Sequence, residues 1–213
     1  MDSAQGQTAP GLFSIKQTIM QTVDFASRIA VAAFLICAQA PLHAETFAER
    51  VAPCLSCHGE KGQSTRPEVP SLGGQTAPYV LIQLYLFREK QRSVKIMTEA
   101  TENFTNDDLR AFSDYIATLP PPQPPPDTGD EQRRQTARVL IQRNHCNACH
   151  TLDLSGRDNV PRIADQREDY LIKTLREYKN NTRYGYDGTM AEALAPVTDQ
   201  EIFDLAYYIA RFR

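Results

Sequence analysis

A short cysteine frame, written twice, constrains this chain more than any other feature. Cys54-Leu55-Ser56-Cys57-His58 recurs as Cys146-Asn147-Ala148-Cys149-His150, with 92 positions separating equivalent residues. The surrounding sequence repeats with it. Pro70-Ser71-Leu72 corresponds to Pro161-Arg162-Ile163, and Gln75 and Tyr79 correspond to Gln166 and Tyr170, all at an offset of 91. Met97 corresponds to Met190, Thr105 to Thr198, and Tyr115-Ile116-Ala117 to Tyr208-Ile209-Ala210, at an offset of 93. A fixed period of this kind marks a tandem duplication. Between the copies runs Leu119-Pro120-Pro121-Pro122-Gln123-Pro124-Pro125-Pro126-Asp127-Thr128-Gly129, which holds six of the 14 prolines. Fixed φ angles and missing backbone donors favour an extended polyproline helix, either a spacer between domains or a strap across them. The expected organisation is a first domain over 45–119, a linker over 120–129 and a second domain over 130–213.

Within each copy the patterning is helical and no alternating β-branched run appears, so the fold class is all-α: two tandem domains related by internal duplication. The first copy predicts helices over 44–54, 79–90 and 103–119, the second over 135–144, 168–179 and 198–213. Pro78 suits a first helical turn. Thr105-Asn106-Asp107-Asp108 and Thr198-Asp199-Gln200-Glu201 have the form of capping boxes. The connections carrying Gly, Pro and Met read as loops.

The amino end carries a different signal. Arg28 is followed by an apolar run over 29–38, too short for a bilayer span of about 20 residues, yet suited to the apolar core of a secretory signal with cleavage after Ala44. Met20 offers an alternative start. Residues 1–44 are therefore expected to be a leader and the mature protein to be periplasmic. Cys37, the odd one of five cysteines, falls inside that run and is discarded with it. A net charge of −3 gives no footprint for nucleic acid.

Cys-x-x-Cys-His is the attachment frame for c-type haem. Two thiols one helical turn apart reach the two vinyl groups on one porphyrin edge, and the adjacent imidazole swings under the ring to the iron. Cys54, Cys57, Cys146 and Cys149 are the candidate thioether residues, and His58 and His150 the candidate proximal ligands. A thioredoxin-like pair would not need histidine after both copies, a zinc site would have to unite two distant pairs, and vicinal disulfides in matching frames are less economical readings. Met97 and Met190 are the only methionines after residue 44. Methionine often fills core gaps, but matched positions in both copies point to axial ligation of the haem iron by a thioether. A His/Met iron has no open position and passes electrons without binding substrate. The carbonyls of Pro70 and Pro161 are candidates to orient the two histidines. Arg92, Lys95, Arg183 and Tyr186 are candidates for the haem propionates, with solvated surface as the competing reading. His145, which has Pro53 as its counterpart, reads as a surface residue.

With both frames, the Pro70-x-Leu72-x-Gly74-Gln75 segment, Tyr79, Met97 and the starts of both third helices in view, the sequence resembles the tandem dihaem class I cytochromes c, most closely the cytochrome c4 type. The resemblance implies two covalently attached haem c groups and two domains packed about a pseudo-twofold axis with propionates near the interface. It also implies a periplasmic electron carrier, peripherally associated with the membrane, working between a quinol-oxidising complex and a terminal oxidase. The rival roles are a cytochrome subunit of a periplasmic dehydrogenase and, as an enzyme, a dihaem peroxidase. The second copy departs from the pattern with Ile163-Ala164-Asp165 in place of Leu72-Gly73-Gly74. Residues 45–119 carry 8 basic and 10 acidic side chains and residues 130–213 carry 13 of each, an asymmetry too slight to separate donor and acceptor ends.

Overall fold

The structure, a computed structural model, describes residues 45–183 and 188–212. The expectations for the leader over 1–44, including Met20 and Cys37, and for Tyr186 lie outside the described residues. Nine helices occur among the described residues: α1 (Phe47–His58), α2 (Ala77–Arg88), α3 (Lys95–Thr101), α4 (Asn106–Ala117), α5 (Glu131–Arg143), α6 (Cys146–His150), α7 (Glu168–Lys179), α8 (Thr189–Leu194) and α9 (Asp199–Ala210). None is long and apolar enough to cross a membrane.

Both halves use the same local chemistry. Thr105 and Thr198 open α4 and α9 with complete capping boxes. Thr105 Oγ1 accepts from the Asp108 amide at 3.1 Å while Asp108 Oδ2 accepts from the Thr105 amide at 2.8 Å. The same exchange at Thr198 and Glu201 spans 3.2 and 2.7 Å, satisfying two otherwise orphaned donors at each helix start. An arginine from the amino-terminal helix of each half reaches the capping acid, Arg50 to Asp108 at 2.5 Å and Arg143 to Glu201 at 2.9 Å. Pro78 sits in the first turn of α2.

The cores are filled differently. In the second half Ala137, Ala206 and Ala210 are fully buried among Leu140, Leu154, Ile202, Leu205 and Ile209, and α9 packs on both α5 and α7. Small residues let those backbones approach. In the first half α2 packs on α4, and rings fill the space beside α1: Phe47 lies 5.2 Å from Phe112, which stacks on Phe104 at 4.6 Å.

One expectation needs correction, and one difference between the copies goes beyond the sequence pattern. Met97 and Met190 stand on the short helices α3 and α8 rather than in loops. These helices have seven and six residues, too short for periodicity to reveal. The cysteine frame also differs between copies. In the first it is the end of α1, with Pro53 inside the helix. In the second, α5 ends at Arg143, His145 turns left-handed at φ 53°, and α6 restarts at Cys146. Proline is locked near φ −65°, so Pro53 cannot make the turn that His145 makes. The sequences differ at the same point as the helices do.

From Phe47 onward the halves pack together in one compact unit. The proline-rich segment is tied at both ends. Gln63 Nε2 donates to Gln123 O at 3.0 Å and Gln63 Oε1 accepts from the Gln123 amide at 3.1 Å. On the second half, the Tyr207 hydroxyl donates to Asp127 at 3.2 Å, lies 2.8 Å from Thr128 Oγ1 and accepts from the Asp130 amide at 3.2 Å. Gly73 lies under the start of the linker, where a Cβ would come within 2.0 Å of the Pro120 carbonyl oxygen. Its counterpart Ala164 is buried and carries a methyl group. Asp165, the counterpart of Gly74, adopts the same left-handed backbone, φ 60° against 67°, and pairs with Arg162 at 3.1 Å. The departure in the second copy therefore leaves the backbone path intact.

Candidate haem sites

Each frame presents its groups from the end of a helix. Cys54 and Cys57 are half-buried on the last turn of α1, and His58 closes it at 6% exposure. Cys146, Cys149 and His150 occupy α6, with His150 at 5% exposure. None of these four cysteines is in a disulfide. Burial pushes the Cys54 and Cys146 thiols up from their usual range, which opposes a reactive thiolate pair of the thioredoxin kind. Among the described residues no three His, Cys, Asp or Glu side chains gather where they could hold a metal ion, so the two pairs do not merge into a zinc site.

The imidazoles are oriented alike. His58 Nδ1 lies 2.8 Å from the Pro70 carbonyl oxygen and His150 Nδ1 lies 2.9 Å from that of Pro161. A carbonyl only accepts, so Nδ1 carries the proton in both rings and Nε2 keeps its lone pair. Burial lowers both histidine pKa values, opposed by the proline carbonyls, with Arg92 adding to the lowering at His58. Burial thus holds both rings in the neutral form, the form that can bind a metal ion.

Met97 is half-buried on α3. Met190, on α8, and Cys146 both pack against the hydrophobic cluster of the second half.

Of the basic residues singled out for propionates, Arg92 and Arg183 converge. Arg92 Nη2 donates to the Tyr170 hydroxyl at 3.3 Å and Arg183 Nη2 to the same oxygen at 3.5 Å. Arg92 lies over the Phe87 ring at 4.5 Å, and Arg183 over Tyr178 at 5.1 Å while pairing with Glu177 at 3.1 Å. Arg92 and Arg183 are repeat counterparts, as are Tyr79 and Tyr170, so the cluster is two-sided. Burial raises both phenols. At Tyr170 the two guanidiniums outweigh it and bring the pKa to about 8, while Tyr79 stays well above its usual value. Lys95 stands in solvent with an 89% exposed side chain and pairs loosely with Glu99 at 3.8 Å. His145 is exposed, as its sequence reading expects.

Two residues that mark the repeat, one of them also within the segment that carries the family resemblance, have a larger part. Gln75 Nε2 donates to the Arg162 carbonyl at 2.7 Å, and Gln75 Oε1 accepts from the Arg162 amide at 3.1 Å. Gln166 makes the mirror contacts with Ser71, both at 2.8 Å. Their sequence signal was the fixed distance from Pro70 and Pro161, joined at Gln75 by the segment that carries the family resemblance.

The family model for cytochrome c matches twice, over residues 45–120 and 135–212, each match enclosing one frame. The chain belongs to the cytochrome c family. Among its relatives, cytochrome c4 of Thiocapsa roseopersicina is 28% identical over 167 residues, 73% of this chain and 85% of that one. The solved cytochrome c4 of Acidithiobacillus ferrooxidans superposes with a TM-score of 0.67 at 26% identity, over 76% of this chain and 99% of that one. A thiosulfate dehydrogenase of Marichromatium purpuratum superposes at 0.64 with 26% identity, over 75% of this chain but 36% of that one. This cytochrome thus consists of two tandem class I domains of the cytochrome c4 type, carries two covalently bound haem c groups and acts as an electron carrier. The donor set fits those groups: each half offers two free thiols one turn apart and a neutral imidazole whose Nε2 has no competing proton.

Proposed function

We propose that this cytochrome is a periplasmic carrier passing electrons from a quinol-oxidising complex to a terminal oxidase. In this reading Cys54 and Cys57 hold one haem c and Cys146 and Cys149 the other, with His58 and Met97, and His150 and Met190, as the axial pairs. The observation that carries it is the duplicated His Nδ1–proline carbonyl bond, which fixes both ring planes and leaves Nε2 as the donor to iron. Bound haem supplies a one-electron Fe(III)/Fe(II) couple, whose potential a thioether ligand raises. The residues of this chain hold, orient and shield that couple. Pro70 and Pro161 lock the imidazoles, and Arg92, Arg183, Tyr79 and Tyr170 offer an anion-complementary cluster for propionates between the halves. With both axial positions filled by protein, no iron is open to peroxide.

A second reading, a cytochrome partner of a periplasmic dehydrogenase, is favoured by the likeness to the thiosulfate dehydrogenase structure. Spectroelectrochemical titration of the exported protein tests both readings together. Two haems with methionine-to-iron charge-transfer absorption are expected, and Met97→Ala and Met190→Ala should each remove that absorption from one haem. Unchanged spectra in those variants refute the ligand assignment. Two low potentials refute delivery to an oxidase, since about 59 mV shifts a one-electron equilibrium tenfold. Stoichiometric co-purification with a dehydrogenase would establish the second role.

A further inference from the structure

The peptide group that orients each histidine is itself held from the other half of the molecule. The Pro70 carbonyl accepts from His58 Nδ1–H, and the amide N–H of that same peptide unit, on Ser71, donates to Gln166 Oε1 at 2.8 Å. In the second half, the Pro161 carbonyl accepts from His150 Nδ1–H and the Arg162 N–H of that peptide donates to Gln75 Oε1 at 3.1 Å. The glutamines are anchored by their own amides, Gln166 Nε2 to Ser71 O at 2.8 Å and Gln75 Nε2 to Arg162 O at 2.7 Å. The Arg167 amide also donates to Gln166 Oε1, at 3.0 Å. Ser71, Gln75 and Gln166 are 2%, 6% and 5% exposed, so water competes little for these bonds. Two crossed chains result, Gln166 to peptide 70–71 to His58, and Gln75 to peptide 161–162 to His150.

An amide whose N–H is engaged becomes a stronger acceptor at its carbonyl, because hydrogen bonds in series polarise one another. A stronger acceptor at Pro70 draws the Nδ1 proton, gives the ring more imidazolate character and makes Nε2 a better donor to iron, which favours the ferric state. We propose that Gln75 and Gln166 are positioning residues that act across the interface, each setting the donor strength of the proximal histidine, and thereby the haem potential, in the opposite half. The proposal rests on the reading of His58 and His150 as iron ligands through Nε2.

The test uses the full-length dihaem protein with Gln166→Met and Gln75→Met, which preserve volume and remove the bonds. Gln166→Met should shift the equilibrium of the His58 haem toward the reduced form about threefold, about 30 mV at about 59 mV per decade, and move the His58 Nδ1–H resonance of the reduced, diamagnetic protein upfield. The potential and resonance of His150 should stay in place. Gln75→Met should give the mirror image. A shift in the mutated half, an equal shift in both, or no shift overturns the proposal. Because the chain of bonds is duplicated, either variant decides alone if the other does not accumulate. Loss of both as dihaem protein, with the surface interface variant Lys173→Ala accumulating normally, assigns the glutamines a purely structural role. Absence of ring-current-shifted His58 and His150 ring resonances in the unmutated reduced protein would instead fault the reading of those histidines as iron ligands, whatever the potentials.

Discussion

Gly73 shows how one side chain, or its lack, registers the architecture around it. A methyl group there would lie 2.0 Å from the Pro120 carbonyl oxygen, a separation that backbone atoms cannot relieve by rotation. Gly73→Ala is expected to cost about 1–3 kcal/mol as an overpacking change, read as a lowered midpoint in chemical denaturation of the holoprotein. An unchanged midpoint would mean the linker leaves its place on Gly73 without cost. At this scale the sequence was highly legible where chemistry needs particular atoms: both frames, both orienting prolines and Arg92 and Arg183 stood out. Lys95 did not join the cluster, because charge and spacing do not tell which basic side chain turns inward. Gln75 and Gln166 were visible as repeats, but their work depends on a packing between halves that no local pattern encodes.

Among the elements, the capped helices α4 and α9 were readable because the capping signal lies within four residues. Thr105→Ala and Thr198→Ala should each lower stability by about 1 kcal/mol, checked by thermal unfolding followed in the far ultraviolet. The acid limb adds a sign. Asp108, bonded first by the Thr105 amide and then by Arg50, has its pKa lowered from 3.8 to about 2. A carboxylate depressed in the folded state contributes stability that is present above its unfolded value and lost as pH falls through the folded one. Stability should therefore decline between about pH 4 and pH 2, and Asp108→Asn should flatten that slope while lowering stability at neutral pH. A steeper slope in the variant would contradict the assignment. The short helices α3, α6 and α8 escaped the sequence reading because one or two turns give no period to detect. The break before α6 had a signal, His145 opposite Pro53, whose structural meaning appeared only from the φ angle.

For the whole molecule, the contacts joining the halves divide by burial. Lys173 meets Glu68 at 2.9 Å with both side chains substantially exposed, and such pairs contribute about 0–1 kcal/mol. Gln75 and Gln166 are buried, and removing either leaves backbone groups without partners, a loss of about 1–3 kcal/mol. Lys173→Ala should leave the denaturation midpoint nearly unchanged, whereas Gln75→Ala should lower it clearly. Equal effects would show the interface to be held by surface charge. The duplication and its all-α class were plain from the sequence and the family resemblance implied two halves packed about a pseudo-twofold axis, while the side chains that join them were not legible, because they meet about 90 positions apart.

The linker over Gly73 also bears on the order of the two halves. Only the copy that comes first must surrender a methyl group to make room for the strand of prolines leaving it. The copy that follows carries Ala164 and Asp165 at the equivalent positions. A chain rearranged to put the second copy first would place Ala164 beneath the prolines, so the shape of the join ties the order of the two halves to the residue at that one position.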